Sequence, residues 1–316
     1  MHLSKTVSIL SCLALSLALQ NTTHGHGFAG NRFFPATLTT DDPFVADEMS
    51  LPTISTTVDS DGTRETDLSF AIAKKITPNF GIEIGETFSK FATPGERTVN
   101  GQQNLELGAK YQFYINDEHE TILSLGLDTE IGGTGRKLID ADRFTTWSPA
   151  IFFGKGLGDL PNSLSLLRPL AITGLVGIDI PSSWQSVTIS HEEGERSVDI
   201  EQHPASLNWG FAIEYSLPYL QSQVKDIGLK KPFNQLIPLV EFSFQDPVNR
   251  GESGQVTGTI NPGVIWSGKY CQIGAEAIIP INSRSGSEVG MIVQVHFYLD
   301  DVLPKAFGHP LFGGQK

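Results

Sequence analysis

The chain has 316 residues, 39% of them hydrophobic and 9% aromatic, and its formal net charge is −13. A mean hydropathy of −0.08 excludes a protein built from membrane-spanning helices, but it is compatible with a barrel whose outward and inward residues average out. The acidic balance, with no visible basic patch, argues against nucleic acid and anionic lipid headgroups as partners.

The first 25 residues predict a secretory signal peptide. Lys5 supplies the positive start, and residues 7–19 form an apolar run that is too short to cross a bilayer. Cleavage is expected between Gln20 and His26. A lipoprotein processing site at Cys12 is the alternative, which is disfavoured because the apolar run continues beyond this cysteine. The sequence therefore predicts export from the cytoplasm.

Residues 26–50 are irregular, since prolines and acidic residues interrupt any strand pattern. Two interpretations remain open for this segment. The first is a loose periplasmic tail, which is common at chain termini. The second is a plug that enters the mouth of a barrel and is anchored by Phe33, Phe34 and Phe44.

Residues 51–300 carry strand signals of period two, in which apolar and polar residues alternate. The pattern is clearest over residues 104–113 and 289–299. About twelve strands are predicted, at residues 51–58, 67–73, 80–85, 104–113, 123–128, 147–154, 170–180, 206–217, 235–245, 256–266, 272–281 and 289–299. An even number of long strands with one apolar face predicts an all-β fold, an antiparallel up-and-down transmembrane β-barrel.

The predicted connections sort by parity. Those after the second, fourth and tenth strands are tight, whereas those after the third, fifth, seventh and ninth are longer and more polar. This asymmetry is typical of outer-membrane barrels and predicts both termini in the periplasm, with residues 301–316 as a C-terminal periplasmic tail. Aromatic residues at the predicted periplasmic strand ends, such as Phe80 and Trp266, agree with an interfacial girdle. A soluble sandwich or jelly roll is the disfavoured alternative.

Four stretches resemble a known family. They are residues 275–282, residues 290–301, residues 85–87 and the run from Phe34 through Phe44. They are similar to outer-membrane barrels associated with meta-pathway phenol degradation, and the resemblance covers most of the mature chain. It implies a transporter-like barrel, and no binding residue can be carried over from it. The tail after residue 301 departs from barrels that stop at a terminal aromatic residue.

Polar residues on the predicted inner face are candidates for a solute path. They are Glu83, Glu106, Lys110, Asp128, Glu130, Glu214, Glu241, Glu276, Gln294 and His296. One interpretation is the ordinary polar interior of a barrel, in which Lys110 pairs with neighbouring carboxylates. The other is an acidic path that favours cations or neutral hydrogen-bonding solutes and passes anions poorly.

No catalytic, metal or cofactor site is predicted. His296 is the only histidine among the predicted lumenal residues, so a histidine metal site lacks a second ligand. Cys271 is the only cysteine after the leader, so neither a disulfide nor a cysteine metal site can form within one chain. The outer face offers no nucleophile with a base and an orienting group.

The expected partners are outer-membrane lipid, the barrel assembly machinery and a small-molecule solute. The expected function is a channel or uptake barrel for small cationic, neutral or aromatic solutes; a closed structural barrel and an outer-membrane lipid-modifying enzyme are the alternatives.

Overall fold

The computed structural model describes residues 27–192, 195–251 and 253–313. The predicted leader, residues 1–25, lies outside this part of the chain. Within it, no helix is both long and apolar enough to cross a membrane.

Twelve strands form the wall of the barrel. They are β1 (Glu48–Val58), β2 (Arg64–Thr77), β3 (Phe80–Ala92), β4 (Leu105–Asn116), β5 (Thr121–Ile131), β6 (Thr146–Gly156), β7 (Leu170–Pro181), β8 (Ser206–Tyr215), β9 (Leu236–Pro247), β10 (Thr257–Ser267), β11 (Cys271–Pro280) and β12 (Gly290–Tyr298). Each strand pairs antiparallel with the next in sequence, and β12 pairs with β1. The sheet is therefore closed, and the predicted fold class and strand count are confirmed.

The two faces of the wall differ as the period-two pattern requires. Leu125, Ile151 and Val176 point outward, and each exposes about half of its side chain. Phe211 and Phe242 stack on the same outer face with ring centroids 4.7 Å apart. Buried polar side chains occupy the inner face, among them Ser124, Asn261 and Gln272. The wall is thus apolar outside and polar inside, the arrangement of a membrane barrel.

The connections divide the barrel into two rims. At the turn rim, residues 78–79, 117–120 and 268–270 join neighbouring strands tightly. Two turn-rim connections are longer and contain short helices, at Asn162–Leu167 and at Leu217–Tyr219 with Leu220–Val224.

At the opposite end, the loop rim, the connections range from residues 59–63 to the longest one in the barrel, residues 182–205. A strand at Val99–Gln102 pairs with the upper part of β3. The longest loop contains the hairpin Gln185–Glu192 with Glu195–Gln202. After β12 the chain returns to the turn rim and forms two short helices, Leu299–Val302 and Pro304–Phe307.

Residues 27–47, here called the inserted segment, enter the barrel at the turn rim. A short hairpin pairs Phe28–Ala29 with Arg32–Phe33, and the rest of the segment is irregular. Phe34 and Phe44 are buried together with Ile122 and Ala171 of the inner wall. The segment therefore occupies part of the lumen.

Candidate functional site: the lumen and the inserted segment

The inserted segment keeps an irregular backbone because local polar groups replace the hydrogen bonds of a strand. Pro35 and Pro43 have no N–H to offer. Between them the Thr37 hydroxyl donates to the carbonyl of Thr40, and directly after Pro43 the N–H of Phe44 donates to Asp42 Oδ1 at 2.8 Å. Such side-chain-to-backbone bonds are typical of tight turns. The result is a loop whose tip, residues 36–42, reaches into the lumen.

Glu241 of β9 holds the tip of this loop. Its carboxylate is fully buried and accepts the N–H groups of Leu38 at 2.7 Å, Thr39 at 3.1 Å and Thr40 at 2.6 Å. Successive backbone N–H groups form a concave anion site, and charge-assisted bonds of this kind are about twice as strong as neutral ones. The carboxylate therefore fixes the loop tip against the β9 wall.

Neighbouring strands add further polar contacts to the same tip. Asn261 of β10 donates to the Thr39 hydroxyl at 2.8 Å, and this hydroxyl contacts Glu276 of β11 at 3.4 Å. Gln272, also on β11, donates to the carbonyl of Ala36. The loop tip is thus bound on three adjacent strands by side chains that sequence periodicity places inward.

An inner-face glycine makes room for the segment. A Cβ atom at Gly274 of β11 would lie 2.5 Å from a methyl group of Leu38. That leucine packs instead into a buried cluster with Ile237, Leu239 and Ile265. A larger residue at this glycine would force the loop tip off the wall, because a carbon–carbon approach this short is repulsive.

Arg32 anchors the segment at the turn rim. Its side chain is fully buried, and its Nε lies 3.1 Å from Glu120 Oε2. The guanidinium also donates to the carbonyls of Pro169, at 3.0 Å, and Arg168. The Tyr219 ring lies under the guanidinium, 3.7 Å from its carbon. Arginine suits this site since its planar fork serves several acceptors at once and stacks on an aromatic face.

Tyr219 completes the anchor. Its hydroxyl donates to Glu120 Oε1 at 2.7 Å. Burial, together with this hydrogen bond, raises the pKa of Tyr219 to about 12. The hydroxyl consequently stays protonated and remains a donor at any physiological pH.

The opposite side of the lumen, along β2 to β6, is less filled. A vestibule of about 310 Å³ lies above the segment and is lined by Asp41, Glu83, Glu106, Asp128 and Glu130 among others. Below it, a narrow cavity of about 30 Å³ shares three of these residues with the vestibule and adds Lys110. A third cavity of about 300 Å³ opens at the turn rim and shares Phe44 and Val45 with the narrow one. The three cavities therefore lie next to one another in series.

Lys110 lines the narrow cavity, here called the Lys110 constriction. Its Nζ donates to Asp41 Oδ2 at 2.7 Å and to the carbonyl of Asp42 at 2.6 Å. It also lies 4.7 Å from the centroid of the Phe152 ring. The narrow cavity thus has a wall cation, Lys110, beside a carboxylate of the inserted segment, Asp41.

The ten predicted lumenal residues lie on the inner face but separate into groups. Glu83, Glu106, Asp128 and Glu130 line the vestibule, and Lys110 lines the narrow cavity. Glu241 and Glu276 contact the inserted segment, while buried Glu214 accepts a bond from Thr173 of β7 at 3.0 Å. Gln294 donates to Thr53 at 3.1 Å, and His296 Nε2 lies 3.1 Å from Glu48. None of these last five lines the three cavities in series.

The three candidate plug residues also separate. Phe34 and Phe44 are buried with ring centroids 5.6 Å apart. Phe33 lies nearer the turn rim, where its ring centroid is 6.3 Å from that of Tyr298.

The sequence pattern did not single out three residues that take part in the site, which are Arg32, Asp41 and Tyr219. An isolated charged or aromatic residue outside a strand gives no periodic signal.

No group of three or more His, Cys, Asp or Glu side chains that could hold a metal ion occurs among the described residues. A Ser–His contact does occur at the loop rim, where Ser186 Oγ lies 2.7 Å from His203 Nε2. Neither residue lines the cavities of the lumen.

The chain matches no protein-family model and no curated protein. Among solved structures, it is similar to an outer membrane channel from Pseudomonas putida F1, with a TM-score of 0.54 and 10% identity over 84% of this chain and 99% of that chain. Two further structures are more distant. One is the KdgM porin, with a TM-score of 0.42 and 11% identity over 78% of this chain and 98% of that chain. The other is the β-domain of the Bordetella autotransporter BrkA, with a TM-score of 0.45 and 15% identity over 81% of this chain and 99% of that chain. At 10% identity the first likeness shows the fold alone, a closed antiparallel β-barrel.

Proposed function

We propose that the protein is a channel or uptake barrel of the outer membrane that admits small solutes past the inserted segment. The observation that carries the proposal is the series of cavities along the β2–β6 wall, which runs from the vestibule through the Lys110 constriction to the turn rim. The tight turns at residues 78–79, 117–120 and 268–270, with the longest loop at the opposite rim, support an orientation with the loop rim outside the cell and both termini in the periplasm.

Charge along this route favours cationic and neutral solutes. Asp41, Glu83 and Asp128 line both the vestibule and the narrow cavity, and Lys110 is the cation beside them. A pore wall with excess carboxylate attracts cations and repels anions. The resemblance to barrels associated with phenol degradation adds small aromatic solutes as candidates.

A closed structural barrel is the second candidate, because the narrow cavity of about 30 Å³ holds only a few water molecules. Single-channel recording in planar bilayers separates the two functions. We expect the wild-type protein to give small, cation-selective conductance steps. Absence of conductance in both the wild type and a variant with a released loop tip would favour the closed barrel.

Replacing Lys110 by methionine is expected to raise the cation-to-anion permeability ratio about tenfold. A unit charge about 5 Å from a passing ion contributes more than 1.4 kcal/mol at the effective dielectric constant of a protein site, which corresponds to a factor of ten. The reversal potential under a KCl gradient measures this ratio.

Lys155→Met is the matched control for this prediction. Lys155 lies near the turn rim, bonded to Asp159 at 3.1 Å and outside the three cavities. Its removal should leave the reversal potential unchanged. Equal shifts in both variants would contradict the assignment of the ion path to the Lys110 constriction.

A further inference from the structure

Two buried carboxylates meet where the loop tip docks on the wall. Glu241 of β9 and Glu276 of β11 are almost fully shielded from solvent, and their carboxyl groups lie within hydrogen-bond reach of each other. Thr39 of the loop tip joins them, because its N–H donates to Glu241 Oε2 at 3.1 Å and its hydroxyl donates to Glu276 Oε2 at 3.4 Å. The carboxylate pair is therefore part of the contact between the inserted segment and the wall.

A glycine of the strand between them lets the two glutamates meet. Register pairs Gly263 of β10 with Glu276. A Cβ atom at this glycine would lie 2.4 Å from Cγ of Glu276, so the stem of the glutamate crosses β10 at this position. The residue opposite Glu241 on β10 is Asn261, whose Nδ2 donates to the same Thr39 hydroxyl at 2.8 Å. Two carboxylates and one amide thus converge at one place on the wall.

No basic side chain balances this charge within residues 27–192, 195–251 and 253–313. The ion pairs of this part of the chain involve other carboxylates than Glu241 and Glu276. The surroundings are apolar, since Ile278 on the same strand and Ile292, opposite Glu276 in the register, are both buried. Two like charges that have lost their hydration repel each other, so the pair requires a bound cation or a proton.

Buried acceptor atoms without donors distinguish between these two. Asn261 is fully buried, and its Oδ1 has no hydrogen-bond partner. Glu276 Oε1 is likewise buried without a donor. Buried polar atoms are ordinarily satisfied. One proton would serve only one of these oxygens, and a water molecule would leave the charge uncompensated, whereas a cation can be bound by all of them.

From this geometry we propose that the docked loop tip encloses a cation of the calcium class, bound by Glu241, Glu276 and Asn261. Glu241 Oε1 accepts only the N–H of Leu38, so it keeps a lone pair for the ion. Calcium binds carboxylate and amide oxygens in a flexible geometry, whereas magnesium retains several waters, which suits a site enclosed by buried isoleucines less well. The third ligand is an amide, so among the described residues no group of three His, Cys, Asp or Glu side chains marks the site.

Binding of the ion is coupled to docking of the loop tip. Thr39 lies across both carboxylates, so the ion enters before the tip docks or together with it. A bound cation removes the repulsion under the tip and stabilises the state in which the inserted segment occupies the lumen. The proposal rests on the position of the inserted segment and not on solute conduction.

The first measurement is calcium binding by the full-length barrel in detergent, followed by equilibrium dialysis against radioactive calcium. We expect about one saturable site per barrel, as for a single set of oxygen ligands. Glu276→Gln should weaken calcium affinity at least about tenfold, since even groups outside the ligand set typically contribute 10–100-fold. Asn261→Ala keeps both carboxylates and should weaken calcium affinity by a similar factor, so the test does not depend on one variant folding.

The second measurement is hydrogen–deuterium exchange of peptides that cover residues 36–42. With calcium at ten times its dissociation constant, exchange of the wild-type tip should slow about tenfold relative to chelator, because a ligand that binds only the docked state stabilises it in proportion to 1 + [L]/Kd. Glu276→Gln removes the repulsion, so its exchange should be slow and should not respond to calcium or chelator. A merely structural role of Glu276 would leave the response to calcium intact.

Glu214→Gln is the matched control, since this buried inner-face glutamate accepts its hydrogen bond from Thr173 of the wall. It should bind calcium as the wild type does. Equal loss of affinity in this control, or only weak and non-saturable binding by the wild type (an adventitious ion only), would overturn the proposal. Exchange of the wild-type tip that responds to pH but not to calcium would also overturn it, because a shared proton would then compensate the pair.

Discussion

Replacing Glu241 by alanine is expected to increase the conductance of the barrel severalfold. The substitution leaves the N–H groups of Leu38, Thr39 and Thr40 without their acceptor. Each unpaired buried donor costs about 1–3 kcal/mol, so the loss of three acceptor contacts should weaken docking of the loop tip by about 3–9 kcal/mol. The tip then leaves the lumen for a substantial fraction of the time. Single-channel recording measures the larger open steps.

Glu214→Ala is the matched control for this variant. Glu214 is also a buried inner-face glutamate, but its bond goes to Thr173 of the wall and not to the inserted segment. Loss of this charge should leave the step size near that of the wild type. If both variants conduct alike, lumenal charge rather than the position of the loop tip sets the conductance.

Replacing Arg32 by alanine is expected to detach the inserted segment at the turn rim. Breaking a buried ion pair by removing one partner typically costs about 3–5 kcal/mol, since the other charge stays buried. Here the uncompensated charge is Glu120, whose carboxylate is almost completely buried. Amides of residues 27–47 should therefore exchange with deuterium about 10²–10³ times faster, as followed by mass spectrometry of the corresponding peptides.

Two variants check the origin of this effect. Arg64→Ala removes an arginine of an exposed pair, in which Glu288 lies 3.0 Å away, and exposed pairs contribute about 0–1 kcal/mol. It should leave exchange in the segment unchanged. Arg32→Lys keeps the charge but loses the planar fork, so we expect an intermediate rate. Wild-type exchange in Arg32→Ala would show that the phenylalanine contacts alone hold the segment.

The barrel wall could be predicted from sequence because its signal is local. Alternation along residues 105–113 or 289–299 depends only on which face of a strand meets lipid and which meets the lumen. The same alternation assigns Glu83 and Glu241 to the inner face, where the structure has them. Closure then follows from the even number of strands and the pairing of neighbours.

Alternation could not predict which inner-face residues line an open cavity and which are covered by the inserted segment. Glu83 and Glu241 have equivalent patterns in sequence, yet the first lines the vestibule and the second is covered by the inserted segment. The difference depends on where an irregular segment lies. Arg32 gives no sequence signal for its role, because its partner Glu120 is 88 residues away in a turn.

The contacts of the loop tip also determine the order of assembly. Leu38 precedes the first strand, but its acceptor Glu241 lies 203 residues later, on the ninth. Contacts between residues so distant in the chain form late, since the intervening chain must be placed first. The partners on β9, β10 and β11 come together only when the C-terminal third of the wall has been built. A newly inserted barrel should therefore pass through a stage with an empty lumen, and its occupation by the N-terminal residues would be the last step of maturation.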